Sequence, residues 1–218
     1  MIKAIIFDFW GTVMNNGVFP SPFKQVKYFL RLNMPFSEFA PRFEEAFMLK
    51  RFENLYEGFK AVANAFKVNP PDFVYDKLVG VWNKNKLLAR PYPEAIEALA
   101  ELKRGYKLAL VSNTDCFGVN ELLDKYDMRK FFDVIALSFE VGALKTDKKM
   151  FEYVIKKLKV KKNEVIMVGD SIESDMVGAE NIGIKGILID RSNKREYPIK
   201  VQSLSEIEDA INRIKEKK

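Results

Sequence analysis

Short apolar runs that alternate with helical patterns are the feature that most restricts the fold of this chain. The runs are nearly continuous in Val, Ile, Leu and Phe, which is typical of strands covered on both faces of a parallel sheet. They lie at 3–9, 106–113, 132–138, 164–170 and 185–190. Most of the segments between them place apolar residues at helical spacing. Alternating strands and helices predict an α/β fold with a Rossmann-like parallel sheet as its core.

One interval is much longer than the others. Between the first run and Tyr106 the chain has no strand pattern, and it is rich in Phe and Tyr at helical spacing. The patterns predict helices at about 21–33, 37–50, 52–67 and 72–88. We therefore expect a four-helix domain at 14–91, inserted into an α/β core formed by 1–13 and 92–218. Such an insert can cover the carboxyl ends of the strands, where ligands bind in parallel sheets.

Composition excludes several kinds of site. The 218 residues include no histidine, which excludes a Ser-His-Asp triad and histidine-ligated zinc. Any metal must bind to oxygen, which favours Mg²⁺. Cys116 is the only cysteine, so no internal disulfide can form. No apolar run approaches the ~20 residues of a membrane span, and a signal-peptide pattern is absent. We expect a cytoplasmic protein without a membrane partner.

Positive charge does not by itself indicate a nucleic-acid partner. The net charge is +6, and the basic run "KKLKVKK" (156–162) has no aromatic residues between its lysines. We interpret this run as a solvated helix end and expect no nucleic-acid binding. The chain also lacks a G-x-G-x-x-G motif, so a dinucleotide cofactor is not expected. Abundant Lys and Glu with little Gln and Cys favour a thermophilic source.

Polar residues follow the strand runs at points that a parallel sheet brings to one edge. Alone, each has an ordinary explanation as a turn former, helix cap or surface lysine. Because the carboxyl ends of parallel strands share one edge, the whole set predicts a site. The set consists of Asp8, Thr12, Ser112, Asn113, Lys145, Asp170 and Asp175.

The residue types in this set are suited to phosphoryl transfer. Asp8 is a candidate carboxylate nucleophile. Asp170 and Asp175, with Asp8, supply oxygen ligands for Mg²⁺. Lys145 places a positive charge beside the nucleophile and the transferring group, where charge stabilisation carries most of the catalysis.

Three further residues are candidates for holding phosphate. Thr12 and Ser112 offer hydroxyl groups, and Asn113 adds a side-chain amide. Backbone N–H groups that follow the first strand can bind phosphate oxygens as well.

The motifs resemble those of the haloacid dehalogenase (HAD) superfamily along the whole chain. The matching stretches are "FDFWGT" (7–12), "VSN" (111–113), "ALKTDKKMF" (143–151) and "VGDSIESD" (168–175). The resemblance implies a Rossmann-like core, a four-helix cap after the first strand and a Mg²⁺-dependent aspartyl-phosphate mechanism. It also implies small phosphorylated metabolites as substrates.

The chain departs from this family pattern at Trp10. HAD phosphatases usually carry an aspartate there, which protonates the leaving group and then activates water. The Trp10 backbone carbonyl is still a candidate metal ligand. Losing a general acid/base costs about 10²–10⁴ in rate, so we expect a weak or leaving-group-dependent phosphatase. Two alternatives stay open: a 2-haloacid dehalogenase, which carries an aromatic residue at this position, and a binding or regulatory protein without turnover.

Overall fold

A parallel sheet of six strands forms the centre of the computed structural model, which describes residues 1–216. Strand β1 (Ala4–Phe7) is its middle strand and pairs with β4 (Lys107–Ser112) and β6 (Val165–Gly169). Beyond them lie β5 (Val134–Leu137) on one side and β7 (Lys185–Ile189), then β8 (Lys200–Val201), on the other. The predicted α/β fold is confirmed. The sequence did not predict β8, because a two-residue strand has no hydrophobic period.

Helices cover both faces of the sheet, as the continuous apolar runs predicted. Side chains alternate between the faces, so Ile5 and Phe7 enter one hydrophobic cluster and Ala4 and Ile6 enter another. The first cluster includes residues of α5 (Ala95–Leu102), α6 (Val119–Lys125) and α10 (Ile207–Glu216). The second includes residues of α8 (Lys148–Leu158) and α9 (Val177–Glu180). A short helix α7 (Ser138–Val141) follows β5.

Four helices fill the long interval. They are α1 (Pro22–Phe29), α2 (Phe36–Phe47), α3 (Leu55–Ala65) and α4 (Asp72–Leu88), which we call the helical segment. Helix α1 ends earlier than predicted, because Arg31 takes a left-handed conformation with φ 53°.

The helical segment has a hydrophobic cluster of its own. Phe47 lies at its centre, with ring centroids 4.9 Å from Phe59, 5.4 Å from Phe43 and 5.2 Å from Trp82. Aromatic pairs at such distances contribute more than their buried area alone. The phenylalanines at helical spacing therefore belong to a packed interior.

The chain enters and leaves the helical segment through a short antiparallel strand pair. Residues of β2 (Met14–Asn15) pair with those of β3 (Arg90–Pro91). Strand β2 begins at residue 14 and strand β3 ends at residue 91, and the division into a core of 1–13 and 92–218 and an inserted domain of 14–91 stays a prediction. Residues 217–218 of the predicted core range lie outside the described residues. Among residues 1–216, no helix is both long and apolar enough to cross a membrane.

Candidate active site

A tight turn after β1 positions Asp8. Its backbone N–H donates to the Val168 carbonyl at 2.9 Å, and the turn is closed by the Gly11 N–H, which donates to the Met14 carbonyl at 2.8 Å. Gly11 has φ +84°, and a Cβ there would lie 2.2 Å from Asp170 Oδ2. Glycine is therefore required both by the turn and by the close approach of Asp170.

Three carboxylates meet at this edge of the sheet. Ligand oxygens of Asp8, Asp170 and Asp175 all lie within 4.8 Å of one another. Asp175 is fully buried in a π-helical turn (Ile172–Met176), and its Oδ2 accepts from the Ser171 N–H at 3.0 Å. The two strand-tip aspartates and the downstream Asp175 are thus brought together, although 162 residues separate Asp8 from Asp170 along the chain.

Lys145 supplies the one ammonium group that contacts this cluster in the described part of the chain. Its Nζ lies 2.7 Å from Asp8 Oδ1 and 2.5 Å from Asp175 Oδ1. Burial alone would lower the pKa of Lys145, but the contacts with Asp175 and Asp8 raise it overall. The lysine therefore stays charged and favours the ionised form of Asp8.

The cluster still carries more negative than positive charge. Burial raises the pKa of Asp8, with Lys145 opposing this shift and Asp175 adding to it. Burial, together with repulsion from Asp8 and Asp175, also raises the pKa of Asp170. A divalent cation among these oxygens would relieve the repulsion, and three carboxylates are the hard donors that Mg²⁺ prefers. The residues present therefore fit a Mg²⁺ ion.

The candidate phosphate-binding residues lie close by but differ in their contacts. The Thr12 hydroxyl donates to Asp8 Oδ2 at 3.1 Å. Ser112 Oγ is buried and has no hydrogen-bond partner among the described residues. Asn113 Oδ1 accepts from the Lys145 backbone N–H at 2.9 Å, and its Nδ2 donates to Glu44 Oε2 at 3.0 Å. Asn113 therefore links the sheet edge to helix α2.

A cavity of about 290 Å³ opens between the sheet edge and the helical segment. Asp8, Trp10, Asn113, Lys145 and Asp170 line it from the core. Thr12, Ser112 and Asp175 do not line the cavity, but the side chains of Thr12 and Asp175 contact the lining residues Asp8, Lys145 and Ser171. From the helical segment the lining includes Phe23, Phe36, Glu44, Trp82 and Asn83.

Polar contacts hold the helical segment over the cavity. The Trp82 indole N–H donates to Asp115 Oδ2 at 2.8 Å. Ser138 Oγ donates to the Met48 carbonyl at 2.6 Å. With the Asn113–Glu44 bond, these contacts join α4, α2 and the residue just after α2 to the loop that follows β4 and to helix α7. The cavity is therefore bounded by both parts of the molecule.

Two arginines that sequence reasoning did not single out fix the backbone of the site. Arg191 Nη2 donates to the Thr12 carbonyl at 2.9 Å, and its Nη1 pairs with Glu94 Oε1 at 2.7 Å. Arg195 donates to the backbone carbonyls of Asp170 and Ile189. The stretch "DRSNKRE" (190–196) has no motif that indicates these contacts.

Glu44 and Asp115 are two acidic residues of the cavity wall that the sequence did not indicate either. Both are held by hydrogen bonds, Glu44 from Asn113 and Asp115 from Trp82 and the Phe117 N–H. Glu44 is one of several glutamates on α2, and only the docking of this helix shows which one reaches the cavity.

Comparisons with known proteins agree on one family. The model of the haloacid dehalogenase-like hydrolases matches residues 2–183. A glyceraldehyde 3-phosphate phosphatase of Methanocaldococcus jannaschii is 28% identical over 99% of both chains. A crystal structure of a HAD phosphatase from Thermococcus onnurineus is 26% identical, covers 96% of this chain and 98% of its own, and has a TM-score of 0.62. A 2-haloacid dehalogenase from Pseudomonas syringae has the same fold at 18% identity, with a TM-score of 0.67 over 98% and 100% of the chains.

Proposed function

The chain belongs to the haloacid dehalogenase-like hydrolase family, and we propose that it is a Mg²⁺-dependent phosphatase that works through an aspartyl-phosphate on Asp8. The observation that carries this proposal is the contact of Asp8 with Lys145 inside the three-carboxylate cluster, at the wall of a cavity. A buried carboxylate held ionised by a lysine is suited to attack phosphorus.

Each residue of the site then has a distinct role. An Asp8 oxygen attacks the phosphorus atom, and the bond from phosphorus to the leaving oxygen breaks. Lys145 keeps Asp8 ionised and offsets the charge of the phosphate group. Asp8, Asp170 and Asp175, with the Trp10 carbonyl, would hold Mg²⁺. When bound, the ion neutralises charge on the phosphoryl oxygens.

We propose that Asn113 and Ser112 hold the phosphate group, whereas Thr12, the third candidate, orients the nucleophile. Asn113 lines the cavity next to Lys145. Ser112 does not line the cavity, but it precedes Asn113 and its buried hydroxyl has no partner among the described residues, so its hydrogen-bonding capacity is available to a phosphate oxygen. Thr12 is already bonded to Asp8, so its contribution is to orient the nucleophile.

The substrate is proposed to be a small phosphorylated metabolite. A cavity of about 290 Å³ lies at the lower end of the range for small-molecule sites. The relative in M. jannaschii is named for glyceraldehyde 3-phosphate, which makes short phosphorylated sugars the first compounds to test. The helical segment acts as the cap that selects among them, and no nucleic-acid or membrane partner is needed.

Turnover of a panel of phosphate esters tests the proposal. Release of phosphate is measured with p-nitrophenyl phosphate and glyceraldehyde 3-phosphate, with Mg²⁺ and with EDTA. We expect activity that needs Mg²⁺ and is abolished in Asp8→Asn, whereas Asp209→Asn, an exposed aspartate outside the site, keeps it. Full activity of Asp8→Asn would remove Asp8 as the nucleophile. Binding of Mg²⁺ and phosphate without turnover of any ester would favour a binding or regulatory protein.

A dehalogenase is the second candidate, because Trp10 is aromatic. The structural likeness to haloacid dehalogenases at 18% identity shows the fold alone. The three-carboxylate cluster favours a metal-dependent reaction instead. Chloride release from 2-chloropropionate in EDTA decides between the two, and we expect none.

A further inference from the structure

We propose that Glu44 of the helical segment performs the proton transfers for which position 10 has no acidic side chain. The inference rests on the proposed phosphatase function, since it assigns the acid and base of that reaction. Tryptophan at position 10 offers an indole N–H that neither releases nor takes up a proton near neutral pH. Another group must protonate the leaving oxygen if esters with poor leaving groups are to be hydrolysed.

A chain of hydrogen bonds and one ion pair connects Glu44 to the nucleophile Asp8. Its Oε2 accepts from Asn113 Nδ2 at 3.0 Å, and Asn113 Oδ1 accepts from the backbone N–H of Lys145 at 2.9 Å. The side chain of Lys145 contacts Asp8. Two hydrogen bonds and one ion pair therefore connect the Glu44 carboxylate to the carboxylate of Asp8. Hydrogen bonds from supporting residues hold a reacting side chain in a defined orientation.

The cavity places Glu44 and Asp8 around one space. Both residues line it, Asp8 from the tip of β1 and Glu44 from α2 of the helical segment. A phosphate group bound against Asp8 directs its ester oxygen away from the sheet edge, because attack and departure are in line. The helical segment lies on that side of the cavity. Among the described residues that line the cavity from the helical segment, Glu44 is the only carboxylate.

The surroundings of Glu44 suit a group that both gives and takes a proton. Burial raises the pKa of Glu44 to about 7, with Lys145 and the Asn113 hydrogen bond lowering it and Asp175 and Asp8 raising it. An acid/base catalyst is most effective when its pKa lies near the working pH. The hydrogen bond from Asn113 and the cavity wall fix the position of the Glu44 carboxyl group. Its surroundings keep both the protonated and the ionised form accessible near neutral pH.

One position can serve both halves of the reaction. In the first half, Asp8 forms a bond to phosphorus, the ester bond breaks, and the leaving oxygen takes the proton of Glu44. In the second half, water attacks phosphorus from the side that the leaving group vacated and gives a proton to the Glu44 carboxylate. The bond from phosphorus to Asp8 breaks, and phosphate leaves. Both residues return to their starting protonation states.

Glu44→Gln is the variant that tests this role. Glutamine has the same shape and can still accept the Asn113 hydrogen bond, so the docking of α2 is retained. For glyceraldehyde 3-phosphate, whose leaving oxygen needs a proton, we expect kcat to fall about 10²–10⁴-fold. For p-nitrophenyl phosphate the first burst of p-nitrophenolate should persist, because this leaving group needs little protonation. Glu45→Gln, an exposed neighbour on the same helix, is the matched control and should leave both rates unchanged.

The pH profile separates proton transfer from a structural role. With the alkyl ester, kcat/KM of the wild type should fall as the pH rises through about 7, where Glu44 loses its proton. Glu44→Gln should lack this limb, whereas the titration of the substrate itself affects both proteins equally. The double variant Glu44→Gln/Trp10→Asp should hydrolyse the alkyl ester at least about tenfold faster than Glu44→Gln alone, because a carboxyl group again faces the leaving oxygen.

The outcomes distinguish this inference from the function on which it rests. Wild-type alkyl phosphatase activity that is lost in Asp8→Asn but unchanged in Glu44→Gln would overturn the role of Glu44 and leave the phosphatase proposal intact. An equal fall in the p-nitrophenolate burst and the alkyl rate, with the pH limb retained, would also overturn it. A wild type without Mg²⁺-dependent activity on either ester would overturn both.

Discussion

The ammonium nitrogen of Lys145 lies 2.7 Å from Asp8 Oδ1, although 137 residues separate the two along the chain. The same nitrogen lies 2.5 Å from Asp175 Oδ1. All three side chains are almost completely buried. One buried cation therefore contacts two buried anions directly, and removing it leaves both anions without a partner of opposite charge.

Replacing Lys145 by methionine should impair both activity and stability. We expect kcat to fall by about 10²-fold or more, because a positive charge beside the transferring group is lost. In EDTA at neutral pH the free energy of unfolding should fall by about 3 kcal/mol or more, as for a broken buried ion pair. Urea unfolding measures the second effect. Lys148→Met, an exposed lysine at the start of α8, should change neither quantity, and equal stability of the two variants would contradict the expectation.

Mg²⁺ should stabilise the folded protein through the three-carboxylate cluster. A ligand at 100 times its Kd adds about 2.7 kcal/mol to the free energy of unfolding. Differential scanning fluorimetry with and without Mg²⁺ should show a higher Tm for the wild type. In Asp170→Asn the increase should be largely lost, because one of the oxygen ligands loses its charge. An undiminished increase in this variant would place the ion elsewhere.

Gly11→Ala should disturb the same cluster through the backbone. The new Cβ would lie 2.2 Å from Asp170 Oδ2, and φ is +84°. We expect the free energy of unfolding to fall by at least about 1 kcal/mol, together with weaker stabilisation by Mg²⁺. Gly105→Ala is a matched control, because a Cβ there meets no atom within 4 Å. If both variants behave like the wild type, the turn tolerates the displacement of Asp170.

Stability should depend on pH through Glu44. Burial raises its pKa in the folded protein from 4.5 to about 7, so the folded state binds more protons than the unfolded state between these values. Stability is therefore highest below about pH 4.5 for this group and decreases as the pH rises to about 7. This pKa shift contributes roughly 3 kcal/mol to the free energy of unfolding at low pH, since one pKa unit corresponds to about 1.36 kcal/mol. Urea unfolding in EDTA at pH 5 and pH 8 measures it, as the difference between wild type and Glu44→Gln, and a pH-independent difference would contradict it.

The sequence predicted the parts of the site that depend on sheet topology. Asp8, Ser112 and Asp170 each follow or end an apolar run, and parallel pairing brings such positions to one edge. The α/β fold followed from the same runs and is confirmed. Lys145 lies in a loop and Asp175 in the π-helical turn, so no periodicity marks them, and the sequence placed them in the set because they follow the third and fourth strand runs.

What the sequence did not predict depends on the docking of one part of the molecule on another. Helix α2 carries Glu38, Glu44 and Glu45, and their spacing does not distinguish them. Glu44 becomes part of the cavity only because α2 rests on the loop that contains Asn113. Arg195 likewise reaches the Asp170 carbonyl from a loop without regular structure. Such contacts between distant segments leave no local pattern in the chain.

The pairing of Met14–Asn15 with Arg90–Pro91 has a consequence for how such molecules diversify. Because the two strands that lead into and out of the helical segment are paired, the 74 residues between them form an insert whose two ends are neighbours. An insert of a different length could begin and end at this same strand pair, which is separate from the six-stranded sheet. Exchange of the whole insert would therefore change the helical wall of the cavity, while the three carboxylates and the lysine, which all lie outside the insert, would keep their places.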